Sequence, residues 1–173
     1  MKICVIGYGG SGKSRLAITL SKHYFVPVLH IDNLHYVNAH KVIPDDELIS
    51  KIDVFLDKNS ERGWVIDGNY FVMDDSRRFQ EADLIIFLSY PRWFCYKKAK
   101  KRTKNKLAID LHTNPCQETF SLNYVYWLLF GGRSKKMQRL YQKAMNKSNG
   151  KKIIFKTEDE LKSWLANQGI ALL

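Results

Sequence analysis

Residues 7–14 read Gly7-Tyr8-Gly9-Gly10-Ser11-Gly12-Lys13-Ser14, a GxxxxGK[ST] pattern, and no other feature of the chain restricts its fold as much. The pattern can work only between a buried strand and a helix. Its flanks comply: Ile3 to Ile6 is an apolar run of strand type, and Lys13 to Lys22 sets Leu16, Ala17 and Leu20 on one helical face. A loop that turns tightly without β-carbons can aim successive N–H groups into one concavity, to which the helix end adds partial positive charge. That concavity fits phosphate. Gly7, Gly9, Gly10, Ser11, Gly12, Lys13, Ser14 and the adjoining Arg15 are therefore the candidate residues for a nucleoside triphosphate. Lys13 would reach the β and γ phosphates, and Ser14 would set its hydroxyl on Mg²⁺.

Strand and helix signals alternate through the rest of the chain, which predicts a parallel sheet covered by helices. Pro27 to Ile31 is expected as a second strand ending at Asp32, and His35 to Ile43, lacking a clear period, as a loop. Pro44 opens a helix whose first turn holds Asp45, Asp46 and Glu47 and whose apolar stripe is Leu48, Ile52, Phe55 and Leu56. Gly63 to Ile66 and Leu84 to Leu88 are the third and fourth strands. Arg92 to Lys106 reads as a basic helix, Leu107 to Phe120 as an irregular loop, and Arg133 to Lys147 as a second basic helix. Gly131 and Gly132 either hinge a closing lid or end a helix. Ile153 to Phe155 is the last strand, and Thr157 with Glu160 forms a capping box before Leu161, Trp164 and Leu165.

Two carboxylates stand where ligands of open α/β sheets collect, at strand ends. Asp67, in Trp64-Val65-Ile66-Asp67-Gly68, is a candidate for the Mg²⁺ shell. Asp32, after His30 and Ile31, is a candidate base or outer metal partner, or a plain helix cap. The five histidines, His23, His30, His35, His40 and His112, show no ligand spacing, and no metal or catalytic role is assigned to them. Trp93, Phe94, Tyr96, Tyr124, Tyr126, Trp127 and Phe130 are spaced as helix faces turned toward a core.

Charge is divided unevenly. Residues 1–91 carry 10 Lys and Arg against 12 Asp and Glu, whereas residues 92–152 carry 16 against only Asp110 and Glu118. Such a segment must face solvent or a polyanion. The 173 residues, 45% of them apolar, suit one globular domain and exclude disorder. No run approaches the ~18 apolar residues a membrane span requires. Cys4, Cys95 and Cys116 are odd in number and far apart, which argues against a disulfide framework and for a reducing cytoplasm.

Taken in order, GYGGSGKS at 7–14, HIDNLHY at 30–36, WVIDGNY at 64–70, IIFLSYPRW at 85–93 and the basic aromatic stretch ending in GGRSKK at 131–136 resemble the nucleoside-monophosphate-kinase type of P-loop phosphotransferase. More closely they resemble the adenylate-kinase-related DNA topology modulation proteins of FlaR type. The resemblance implies an α/β, three-layer P-loop NTPase fold with a five-stranded parallel sheet and a basic helical lid insertion. It implies a single domain over residues 1–173, with its core at 1–91 and 151–173 and its lid at about 92–150. It further implies ATP as donor, Mg²⁺, and a small acceptor such as a nucleotide or nucleoside, with Asn69, Tyr70, Arg77 and Arg78 near enough to help bind it. Arg102, Arg133 and Arg139 match the lid arginines that clamp a transferring phosphoryl group. Only Cys95 and Cys116 lie within residues 92–150, so a four-cysteine zinc lid is excluded. A second reading takes the chain as a nucleotide-regulated protein whose basic half tracks non-specific nucleic acid.

Overall fold

The computed structural model describes residues 1–38, 41–71, 77–105 and 120–172. From the N-terminus run β1 (Lys2–Gly7), α1 (Lys13–Tyr24), β2 (Val28–His30), α2 (Ile31–His35), β3 (Tyr36–Asn38), β4 (Lys41–Val42), α3 (Asp45–Lys58), β5 (Trp64–Asp67), α4 (Arg77–Glu81) and β6 (Leu84–Leu88). Then come α5 (Arg92–Asn105), α6 (Leu122–Leu129), one 3-10 turn at Gly131–Arg133, α7 (Lys135–Lys147), β7 (Lys151–Phe155) and α8 (Glu158–Asn167).

Five of the strands make one parallel sheet in the order β2-β5-β1-β6-β7. Side chains alternate across it, and both faces are apolar. Ile3, Val5, Val65, Leu84 and Ile86 point to one face, where α1, α5, α6 and α8 bring Leu16, Leu20, Ala99, Leu128, Leu161 and Leu165. Cys4, Ile6, Trp64, Ile66 and Ile85 point to the other, under Leu48, Ile52 and Leu56 of α3, Phe79 of α4 and Tyr141 of α7. The expected three-layer architecture follows from that alternation. Parallel register then fixes what meets at the strand ends. Val5 and His30 both lie opposite Asp67, and Gly7 lies opposite Leu88.

Several elements differ from the sequence expectation. The second strand stops at His30, and Ile31 begins α2, because its side chain packs against Gly68, where an added β-carbon would sit 2.8 Å away. Part of the expected loop at 35–43 is a short antiparallel pair, Tyr36 opposite Val42, too brief and too irregular to carry a period. Helix α4, five residues long, was likewise unforeseen. Trp93 on α5 and Tyr126, Trp127 and Phe130 on or just after α6 are not core residues: they are 60%, 66%, 40% and 51% exposed, and in the eight-residue α6 only Leu128 and Leu129 are buried. Gly131 and Gly132 end α6 and lead through the 3-10 turn to Ser134, which caps α7 by accepting from the Met137 N–H. The capping box of Thr157 and Glu160 forms as expected. The loop expected at Leu107 to Phe120 lies outside the described residues except for Phe120, as do Cys116, His40 and His112.

Leu48 is fully buried, whereas Val54 on the same helix is 64% exposed. In urea unfolding, Leu48→Ala is expected to cost about 2–5 kcal/mol, and Val54→Ala to stay within about 0.5 kcal/mol of the parent. Equal effects would contradict this assignment of the core.

Candidate functional site

The glycine-rich loop leaves the C-terminal end of β1, the middle strand, and enters α1. Its shape depends on backbone that only glycine adopts readily: Gly10 and Gly12 have φ of 71° and 95°. Neighbours also press on it closely. A β-carbon on Gly10 would lie 2.5 Å from the Cys95 carbonyl of α5, and one on Gly9 would lie 2.7 Å from the Trp127 ring of α6.

The loop's entry is tethered from three elements. The Asn69 amide exchanges two hydrogen bonds with Gly7, donating to its carbonyl at 2.7 Å and accepting from its N–H at 3.0 Å. The Tyr141 hydroxyl of α7 donates to the same carbonyl at 3.1 Å, and burial raises its pKa, which keeps it a donor. The Tyr8 N–H donates to Leu88 at the end of β6 at 3.2 Å. Asn69, expected near an acceptor, instead braces the loop.

Helix α1 begins at Gly12 with no side-chain cap and no acidic residue in its first turn. The first N–H groups of a helix have no partner within it, so this end presents donors and partial positive charge to an anion. Lys13 lies over the loop, its ammonium 3.4 Å from the Tyr8 carbonyl. Ser11 is buried, and its hydroxyl has no hydrogen-bond partner among the described residues. Arg15 is exposed, and its charge acts on Glu158 of α8.

Ser14 and Asp67, 53 positions apart, meet: the Ser14 hydroxyl donates to Asp67 Oδ2 at 2.8 Å. Asp67 is 3% exposed, and its other oxygen is engaged by His30 Nδ1. Burial disfavours the imidazolium of His30, but the hydrogen bond and charge of Asp67, with the charge of Asp32, outweigh it and raise the pKa. His30 is thus a buried hydrogen-bonding partner of Asp67, a structural place within the site. The pair of hard oxygens on Ser14 and Asp67 suits Mg²⁺, which takes one or two protein oxygens and completes its shell with water and phosphate. Among the described residues no cluster of three or more His, Cys, Asp or Glu offers an all-protein metal cage.

Asp32 stands in the first turn of α2, close enough for its charge to act on His30 and on Arg78. Arg133 lies on the loop, its guanidinium 3.8 Å from the Tyr8 ring centroid and 3.3 Å from Cys95 Sγ. Arg102 is half-buried on α5, one turn beyond Lys98. Arg139 is not brought to the loop. It is exposed and set about 200° around α7 from Tyr141, which faces Gly7. Arg78 is also corrected: fully buried, it donates to the Gly68 and Tyr70 carbonyls at 3.1 and 3.0 Å, and burial lowers its pKa to about 10.

Sequence reasoning missed Lys98. Its ammonium would lie 3.4 Å from a β-carbon on Gly12 and bonds Glu158 at 2.7 Å. Burial works against the Glu158 carboxylate, yet Lys98, with Lys162 and Arg15, holds its pKa below the usual range. Beside this pair a groove of about 220 Å³ is lined by Pro91, Phe94, Thr157, Glu158 and Asp159. No local spacing joins residues 60 positions apart, so only the paired ends of β6 and β7 could have shown it.

Two solved structures match nearly the whole chain. Shikimate kinase from Bacteroides thetaiotaomicron matches with a TM-score of 0.53 at 15% identity, over 97% of this chain and 95% of its own. Deoxyadenosine kinase from M. mycoides with bound dCTP matches with a TM-score of 0.52 at 13% identity, over 97% and 98%. The fold is that of a small P-loop kinase. In sequence, adenylate kinase of Buchnera aphidicola subsp. Baizongia pistaciae (strain Bp) is 24% identical over 70% of this chain, and the match spans 66% of that enzyme's length. No family model matches the chain. Within the P-loop kinase fold the loop, Ser14 and Asp67 occupy one end of the sheet, as the sequence motifs required.

Two outcomes are expected of the ligand-free protein. Asn69→Ala leaves the buried Gly7 polar groups short of a partner and should cost about 1–3 kcal/mol in chemical denaturation. Because the folded pKa of His30 is raised, its stabilising contribution is complete below its ordinary value of 6.5 and is lost as pH rises through the folded pKa. The stability advantage of the parent over His30→Gln should therefore shrink with rising pH across that window. A pH-independent difference would refute the charged pair.

Proposed function

We propose that the protein is an ATP-dependent phosphotransferase that moves the γ-phosphoryl group of MgATP to a small hydroxyl acceptor. The observation that carries this reading is the Ser14–Asp67 bridge at the uncapped start of α1. A glycine-rich turn that bound nothing would have no use for a buried carboxylate aimed at the serine of its GKS segment. The kinase fold of the structural neighbours and the adenylate kinase likeness support it.

In this reading the loop N–H groups and Lys13 hold the β and γ phosphates. Ser14 and Asp67 would hold Mg²⁺, which when bound would neutralise charge developing on the phosphate oxygens. His30 keeps the Asp67 carboxylate oriented. Arg133 supplies bidentate donors to the transferring group as negative charge spreads over its oxygens, and Arg102 belongs to the same basic lid. The groove between Phe94 and Glu158 takes the nucleoside end of ATP, with the charge of Arg15 acting on Glu158. The acceptor oxygen bonds to the γ-phosphorus as the bond to the β,γ-bridging oxygen breaks. ADP leaves with that oxygen, and the acceptor proton passes to Asp32.

The chain is then one P-loop kinase domain, with a core at 1–91 and 151–173 and a basic lid at 92–150. Its nearer likeness, to FlaR-type topology modulation proteins, rests on the five motifs. Among the described residues no helix is long and apolar enough to cross a membrane. Cys4 and Cys95 are buried free thiols, and burial pushes the Cys4 thiol up to about 12; the cytoplasmic assignment rests on the sparse, widely spaced cysteines of the sequence.

With MgATP and a panel of nucleosides, nucleoside monophosphates and small polyols, ADP release should rise with at least one acceptor. Lys13→Ala and Asp67→Asn should each lower kcat/KM by about 10²–10³-fold without unfolding the protein. Salt-sensitive nucleic-acid binding that survives Lys13→Ala, with no acceptor-stimulated turnover, would favour the nucleic-acid reading instead.

A further inference from the structure

Among residues 7–12 only Tyr8 has a large side chain, the others being glycine or serine. Backbone N–H groups bind phosphate whatever side chain they carry, so a ring at this position calls for a separate account. Its surroundings fix it. The Tyr8 N–H is bonded to Leu88 of β6, and the ring meets Phe87 of β6 and Tyr141 of α7 in T-shaped contacts at 5.5 and 5.4 Å. Those two rings stack on each other at 4.6 Å, and the Tyr141 hydroxyl is bonded to the Gly7 carbonyl. The plane of Tyr8 is thus set by β6 and α7 rather than by the loop alone.

A cation covers that plane. The Arg133 guanidinium lies 3.8 Å from the Tyr8 ring centroid, and one terminal nitrogen donates to Cys95 Sγ at 3.3 Å. The Arg133 backbone is pinned on both sides, its N–H donating to the Phe130 carbonyl and its own carbonyl accepting from the Gln138 amide, each at 3.0 Å. Its Nε is buried and has no hydrogen-bond partner among the described residues, which leaves the ring as the broadest support of the guanidinium. Residue 8 also meets the other cation of the loop, since its carbonyl is 3.4 Å from the Lys13 ammonium. A ring face attracts a cation without neutralising it as a carboxylate would, so the charge is kept for an incoming anion. Fixing a rotamer-rich side chain beforehand also removes an ordering cost from binding.

Resting on the phosphotransferase reading, we propose that Tyr8 is a positioning residue whose ring holds Arg133 ready for the γ-phosphate, so that the site prefers a nucleoside triphosphate to a diphosphate. Lys13 and the loop N–H groups grip the β-phosphate of either nucleotide, and Arg133 adds its fork only where a γ-phosphate is present. The Tyr8 ring acts through Arg133, and it is the face of the ring that acts, not the hydroxyl.

The test is calorimetry of the full chain with MgADP and with the magnesium complex of the non-hydrolysable triphosphate AMP-PNP, read as the ratio of the two dissociation constants. Arg133→Ala is expected to lower the triphosphate preference about 10-fold or more. Tyr8→Leu is expected to lower it about 3–10-fold, and Tyr8→Phe, which keeps the ring face, to retain the parent's ratio. Added to Arg133→Ala, Tyr8→Leu should change the ratio no further, a coupling that a merely structural role would not produce. Tyr8→Met, which also lacks a ring, answers the same question if Tyr8→Leu does not fold. An unchanged ratio in Arg133→Ala or in the ringless variants, an equal loss for both nucleotides, or additive losses in the double variant overturns the inference and leaves the phosphotransferase reading intact. A folded parent that binds neither nucleotide overturns that reading and this inference with it.

Discussion

The geometry of the site hangs on one peptide group, Gly7, at the end of the central strand. Its carbonyl accepts from both the Asn69 amide and the Tyr141 hydroxyl, and its N–H is returned to Asn69. These bonds come from the segment after β5 and from α7, so the start of the loop is held in place by elements from the middle and the C-terminal part of the chain. A buried peptide left without such partners would cost about 1–3 kcal/mol and would be free to turn. Held as it is, the loop leaves β1 in one direction and opens its N–H groups away from the core.

Parallel register does the rest of the positioning. Pairing His30 and Val5 across Asp67 brings an imidazole, a carboxylate and the serine hydroxyl of α1 into one row. Charge is also uneven around the sheet: α5 and α7 are basic, whereas α3 opens with Asp45, Asp46 and Glu47 and α8 with Glu158, Asp159 and Glu160.

Much of this was legible in the chain. The GKS segment announces strand, loop and helix because only that context gives it a purpose, and the near-continuous apolar runs of β1, β5 and β6 announce burial on two faces. Asp67 was readable as a strand-end carboxylate. His30 was not, since its partner lies 37 residues away and its importance comes from the β2–β5 register. Asn69 and Tyr141 were opaque for a similar reason: a bond 134 residues long leaves no local pattern. Arg78 misled because arginine beside a presumed substrate site suggests a ligand, yet here its charge is buried under backbone carbonyls. Aromatic spacing on α6 suggested an inward face, and the helix proved too short to bury more than one edge.

The indole of Trp127 rests where a side chain on residue 9 would have to go, and it also touches the approach to Gly131 and Gly132. Residues 9 and 127 therefore cannot drift independently: enlarging the first demands shrinking the second, so an inheritance tree of related chains should show the two sites changing in concert. A ring wedged there also makes α6 and the loop one mechanical piece, so that tilting the helix would reshape the turn it covers.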